Sequence, residues 1–441
     1  MSSGISVDVR TSTSAQRTLI PLGVIFFFVG MSVAVVGPFL ALFLSTEVRA
    51  APALVGAFLV AGPLASMVSS SILGRLSDRR PLRRKLLLTA ALAGCAGMIA
   101  TAFIREYWIL LALTMTLTAV SGSLFPQSFA YAREVLSQRG STRAAMATST
   151  LRMVFSIAWV AGPPIAALLL QAGGFRILYL TAAAMYAIAA AVVYLRLEEV
   201  SPPAHAERPP ARRAGPVVWL TLAAFAVMQA AGTLNVQAMS LYLGHVLHAE
   251  VRDAGLILGL CAALEIPLML GFGALSTRYP LHRLIVLGAA LGVAYYILVS
   301  LVTHSWQIAA LQILNASFIA AVQGLGISYV QELLPGEPGR AATLAANAFP
   351  VAALMAGPLL GLSAELGYRY AYIAAAALCV LGFLLLVGTA QPNKTPKTQA
   401  QTAEPEDSEA ASLPPRSGGS APPGPLATFT DRHEPEPPHP R

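Results

Sequence analysis

From Leu19 to Gly388 the chain is a series of apolar runs, each about 20 residues or longer, separated by short polar breaks. A helix of that length crosses a hydrocarbon core of roughly 30 Å. Lipid offers no partners to backbone N–H and C=O groups, so such runs cross as helices and not as open sheets. Composition agrees: 56% of the residues are hydrophobic and 11% charged, against about 25% charged in soluble domains. The runs segment into twelve helices, near 18–44, 53–74, 85–104, 108–131, 145–171, 175–196, 217–244, 252–276, 283–302, 306–333, 341–366 and 369–390. The expected class is an all-α membrane protein. The first run is too long for a removable signal peptide and has no small-residue cleavage site behind it, so it is read as the first span after a polar segment, 1–17.

The twelve helices divide into two sixes. Residues 74–84 read GRLSDRRPLRR and residues 273–283 read GALSTRYPLHR. Each string forms a short basic hairpin between two helices. Three more pairs follow in order: Tyr131 to Glu134 with Tyr329 to Glu332, Gly162-Pro163 with Gly357-Pro358, and Gly174 to Arg176 with Gly367 to Arg369. The halves, 18–196 and 217–390, are therefore parallel repeats, an architecture found among transporters. A proline- and charge-rich linker, 197–216, joins them. From residue 391 to 441 the chain turns to Pro, Ser, Glu and Gly, which cannot repay the entropy of folding, and this tail is expected to be disordered.

Basic residues bias membrane loops to the cytoplasm. With both termini inside, 23 of the 29 Lys and Arg residues fall on the cytoplasmic side; Arg49, Arg105, Arg176, Arg252 and Arg369 fall outside, and Arg152 lies within a helix. This bias, with anionic lipid at the inner leaflet, accounts for the net charge of +8 without nucleic acid. Cys95, Cys261 and Cys379 fall in apolar helices and behave as small hydrophobes, so neither a disulfide nor a metal site is expected. The seven histidines are scattered over loops, helix ends and tail without the spacing of a metal site or catalytic triad. No cofactor and no enzymatic activity are read from the chain.

The first hairpin, with Gly74, Asp78, Arg79, Arg83 and Arg84 in order, resembles the signature between helices two and three of the major facilitator superfamily; Pro81 stands where glycine is usual. Gly74 supplies a tight helix end. Asp78 is a carboxylate that can meet a neighbouring helix terminus and the Arg side chains in only one domain arrangement, so these five residues are read as a conformational gate. Basic residues that simply enforce topology are the plainer alternative. In the second copy Thr277 replaces the acid, and any latch there is weaker.

A charge at a helix centre costs roughly 2.5–3.5 kcal/mol on insertion scales, so Arg152 and Glu265 each need a reason. They lie at similar depths, about 12 and 16 Å from the cytoplasmic helix ends. The superfamily resemblance implies that helices five and eight meet across the seam between halves. Arg152 and Glu265 are then read as a pair coupling proton uptake to rocking of the halves; a static ion pair is the competing account. Arg152, Phe155, Ser156 and Trp159 share one helical face. Gln229, Thr233 and Gln237 form a second stripe with Asn235 off it, and Gln127, Gln312, Asn315, Gln323 and Asn347 add amides on other helices. Uncharged amides with a tryptophan suit a neutral, polyhydroxylated ligand, whose C–H face would lie on the indole. Amides that bond neighbouring helices are the plainer reading of each.

More specific strings resemble the bacterial sugar efflux transporters: residues 125–134 (FPQSFAYARE), 156–164 (SIAWVAGPP), 264–267 (LEIP) and 335–337 (PGE), with 43–48 (FLSTEV) at the end of helix one. The resemblance spans helices one to twelve and excludes the tail. It implies proton-linked export of sugars or glycosides across the bacterial inner membrane, with Arg152, Trp159 and Glu265 in matching strings; separately from the resemblance, a monomer is expected. A drug/proton antiporter ranks second, because the glycine-rich run that ends in Gly-Pro in those proteins is reduced here to Gly162-Pro163. A membrane protein that binds without transporting leaves no motif of its own; the paired halves argue against it.

Overall fold

The computed structural model describes residues 9–79, 82–138, 144–199 and 214–389; the side chains of 9–19, 78–79, 133, 136–138, 144–150, 152 and 338–339 lie outside that description. The expected tail, most of the linker and the tip of the first hairpin therefore fall outside it. The described residues hold eleven helical stretches long and apolar enough to cross a membrane. They are α1 (Ile20–Thr46), α2 (Pro52–Ser77), α3 (Arg83–Phe103), α4 (Tyr107–Ala132), the long stretch Met153–Arg196, α7 (Pro216–Val246), α8 (Val251–Leu275), α9 (Leu281–Leu301), α10 (Ser305–Leu333), α11 (Arg340–Leu366) and α12 (Arg369–Gly388).

The long stretch makes two passes. Its backbone leaves helical geometry at Gly173 and Gly174, where Gly174 has φ +65°, a region glycine enters without penalty. On one side of that break, a Cβ added at Gly30 of α1 would meet Phe155 and Ala158; on the other, Ser32 of α1 donates to the carbonyl of Ala182. Residues 158 and 182 would stand about 36 Å apart along an unbroken helix, yet both lie beside neighbouring residues of α1. The passes are α5 (153–172) and α6 (175–196), so that the eleven stretches among the described residues make twelve passes. One boundary differs: the first helix already begins at Val9, since its polar Ser, Thr, Gln and Arg residues include no glycine or proline to stop it before Pro21.

The duplication reaches the backbone. After α1, Val48 donates to Phe43 and Ala50 to Leu44; after α7, Leu247 donates to Tyr242 and Ala249 to Leu243. Between each pair of donors one residue takes positive φ, Arg49 at 56° and His248 at 52°. Phe43 meets Tyr179 at 4.9 Å between ring centroids, and its counterpart Tyr242 meets Tyr372 at 4.6 Å. Each half packs around such buried aromatics, among them Tyr131, Tyr179, Tyr295 and Tyr296. The hairpin-bearing end of the bundle is called the basic end below, and the other the far end.

Candidate functional site

Where the halves meet, α1, α2, α4, α7 and α11 enclose a cavity of about 260 Å³. Local departures from regular helix shape its wall. A 3-10 turn at Gly37–Phe39 breaks α1 just before Leu40, and α4 widens to a π-helical turn over Thr114–Thr118; Leu40, Thr114 and Thr118 all line the cavity. The wider turn shifts the register of α4, a distortion frequent at functional sites. On α7, Thr233 and Gln237 stand one turn apart on the same face. The Thr233 hydroxyl donates to the Gln229 carbonyl at 3.0 Å, while Gln237 Oε1 is buried and has no hydrogen-bond partner among the described residues. Apolar Phe58, Leu59 and Ala356 complete much of the wall, and none of the lining residues is charged. Such a wall accepts a neutral ligand that offers a hydrogen-bond donor and an apolar face.

Glycines close the far end beside this cavity. A Cβ built on Gly357 of α11 would stand 2.8 Å from the Gly56 carbonyl of α2, and one on Gly361 would stand 3.0 Å from the Pro52 carbonyl. Across the other seam, a Cβ on Gly255 of α8 would strike the Pro163 carbonyl and Ala167 of α5, and one on Gly259 would strike Pro164. Both seams are thus backbone-to-backbone approaches that exclude any side chain.

The amides predicted as ligand contacts separate. Gln237 lines the cavity, joined by Thr233. Gln229 is half-buried one turn further along α7, and Trp159 is half-buried on α5. Asn235 and Asn315 lie inside the second half, away from the cavity: Asn235 Oδ1 accepts from the Tyr295 hydroxyl at 3.3 Å, and Asn315 Nδ2 donates to Gln312 and to Cys261 Sγ. Gln127 is buried on α4, with Nε2 3.8 Å from the position of a Cβ at Gly74 of α2. Asn347 is exposed at the joint between helical segments Pro338–Ala346 and Ala348–Leu366.

Glu265 is half-buried on α8 and makes no hydrogen bond or ion pair among the described residues. The Arg152 side chain lies outside the description, so the pair is read from the backbone alone. The antiparallel contacts of Gly255 with Pro163 and of Gly259 with Val160 fix the register of α8 against α5. Continued toward the basic end, that register brings residue 152 level with residues 266 and 267, within a turn of Glu265.

Of the hairpin signature, the side chains of Asp78 and Arg79 lie outside the description. Gly74 does not end its helix as expected: the helix continues to Arg79, and the Gly74 carbonyl accepts from the Ser77 hydroxyl. Arg83 is buried and pairs with Glu134 at 2.6 Å. The backbone N–H of Arg84 donates to Glu199, and its guanidinium donates to the Tyr194 carbonyl and stacks over the Tyr194 ring. These described members fasten the hairpin to the ends of α4 and α6 within the first half. The second copy repeats the layout with other chemistry: His282 bonds the Leu386 carbonyl of α12 at 3.0 Å and faces Tyr329 of α10. Sequence reasoning missed this intra-half role, and it missed the π turn, which no residue type marks.

The family model described as Major Facilitator Superfamily matches residues 22–335 and 223–430. The chain is 36% identical to Sugar efflux transporter A of Dickeya chrysanthemi over 80% of its length and 91% of that protein's. It is 35% identical to a Putative sugar efflux transporter of Deinococcus radiodurans (82% and 96% covered) and 31% identical to Sugar efflux transporter C of Escherichia coli (86% and 98%). Among solved structures it is similar in fold to the nucleoside transporter NupG, with TM-score 0.69 at 12% identity over 84% of this chain and 98% of that one. A POT family transporter bound to a thioalcohol-conjugated peptide gives TM-score 0.70 at 14% identity, covering 84% and 96%.

Proposed function

This chain belongs to the sugar efflux transporter family of the major facilitator superfamily, and on that footing we propose that it exports sugars or glycosides across the bacterial inner membrane in exchange for protons. It is a multi-pass membrane protein and a sugar efflux transporter; the proton coupling, the inner membrane and the inside placement of both termini are our reading. The observation that carries it is the cavity at the joint of two repeated halves, walled by hydroxyls, one free amide acceptor and apolar surface, with no charge. A neutral sugar matches such a wall, whereas a lipophilic cation would find no counter-charge there.

Alternating access follows from the same layout. The basic end, bearing most of the cationic hairpins, faces the cytoplasm, and the glycine seams close the cavity from the periplasm. Parting of those seams, with closure at the basic end, would release the sugar outward. Glu265 takes up a proton on the periplasmic-facing leg and gives it up on the cytoplasmic-facing one, and Arg152 competes with that proton for the carboxylate.

The test is uptake of labelled monosaccharides, disaccharides and alkyl glycosides, alongside a lipophilic cation, into vesicles of both orientations. Accumulation of a sugar in inside-out vesicles with an acid lumen is expected. Accumulation of the cation without any sugar would overturn the reading in favour of a drug antiporter.

A further inference from the structure

Behind the cavity wall, the second half contains a run of buried polar side chains that all point the same way. Asn315 of α10 donates through Nδ2 to Gln312 Oε1 at 3.0 Å; Gln312 donates through Nε2 to the Tyr295 hydroxyl of α9 at 3.1 Å; Tyr295 donates to Asn235 Oδ1 of α7 at 3.3 Å. Each is within 3% of full burial. Asn235 is two residues from both Thr233 and Gln237, on the opposite side of the helix that walls the cavity. Where every donor serves the next acceptor, each bond polarises its neighbour.

The run begins at an acceptor with no donor. Asn315 Oδ1 is buried and has no hydrogen-bond partner among the described residues, a position that costs roughly 1–3 kcal/mol when left unserved. Asn315 is fixed against α8, because Nδ2 also reaches Cys261 Sγ at 3.2 Å. Glu265 is one turn from Cys261 on the same face of α8, and helical side chains lean toward the N-terminus of their helix, here toward the level of Cys261 and Asn315.

We infer that the Glu265 carboxyl, when protonated, donates its O–H to Asn315 Oδ1, so that Asn315, Gln312 and Tyr295 are positioning residues linking proton uptake on α8 to the cavity helix α7. This rests on the reading that Glu265 carries the transported proton. The carboxylate gains one proton from water and no other bond changes; once ionised it has no proton to offer, and the chain loses its first donor. Few other groups on the packed helices titrate or carry charge near this point. Arg152 of α5 is level with Glu265, Cys261 is one turn away, and Tyr329 and Glu332 of α10 and Tyr242 and His245 of α7 stand toward the helix ends.

Infrared difference spectra between low and high pH, taken on the full chain in liposomes, test the inference. A carboxylic C=O band present in the wild type and absent in Glu265→Gln identifies the protonated group. In Asn315→Leu that band is expected at higher frequency, as for a carboxyl that has lost its acceptor. In Gln312→Leu, which leaves Asn315 in place, it is expected to shift the same way by less. An unmoved band in folded Asn315→Leu overturns the inference while leaving Glu265 as the proton carrier, and if that variant does not fold, an unmoved band in Gln312→Leu does the same. No band lost in Glu265→Gln overturns both the inference and the proton-coupled reading.

Discussion

Gln237 is the cavity residue whose acceptor has no partner among the described residues, so on the proposed function its loss removes a ligand contact without stranding a described neighbour. A neutral hydrogen bond contributes about 0.5–1.5 kcal/mol, and Gln237→Leu is expected to raise the sugar KM roughly 2- to 10-fold with little change in kcat. Initial-rate transport assays check this; an unchanged KM would remove Gln237 from the site. Gly357 works through absence of a side chain. Overpacking costs about 1–3 kcal/mol, a bias of roughly 5- to 150-fold, so Gly357→Val should hold the far end open. The rate at which a membrane-impermeant thiol reagent, added from the periplasmic side, labels a cysteine placed at Thr233 is expected to rise; an unchanged rate contradicts the seal.

Among the elements, the hairpins and helix ends carry most of what sequence made legible. The repeated strings predicted two halves, and the repetition extends to the positive-φ residues Arg49 and His248 and to the hydrogen bonds around them. The break between α5 and α6 was equally plain from Gly173 and Gly174. Which face of a membrane helix looks into the cavity was less legible, because lipid-facing and core-facing surfaces are both apolar and periodicity loses its meaning. Hence Gln237 and Asn235, two residues apart, serve opposite faces, and Asn315 turned inward. The hairpin contacts give a stability prediction. Breaking a buried ion pair from one side costs about 3–5 kcal/mol, so Glu134→Ala should strongly lower the unfolding midpoint in detergent. Removing Arg83 as well should cost less than the sum of the single changes; additive losses would show that the two do not act as a pair.

Taken whole, the molecule is two repeats joined at a small neutral cavity, with glycine seams at one end and, on α5 and α8, two charges brought level by the register of those seams. On the proposed function, sugar recognition falls to α1, α2, α4, α7 and α11 and proton coupling to α5 and α8, so one could be removed without the other. The direct measurement is accumulation of labelled sugar by inside-out vesicles with an acid lumen, run beside sugar exchange without a gradient, for the wild type and Glu265→Gln. The account predicts accumulation by the wild type, and by the variant exchange at near wild-type rate with accumulation lost. Accumulation by Glu265→Gln equal to the wild type would contradict it.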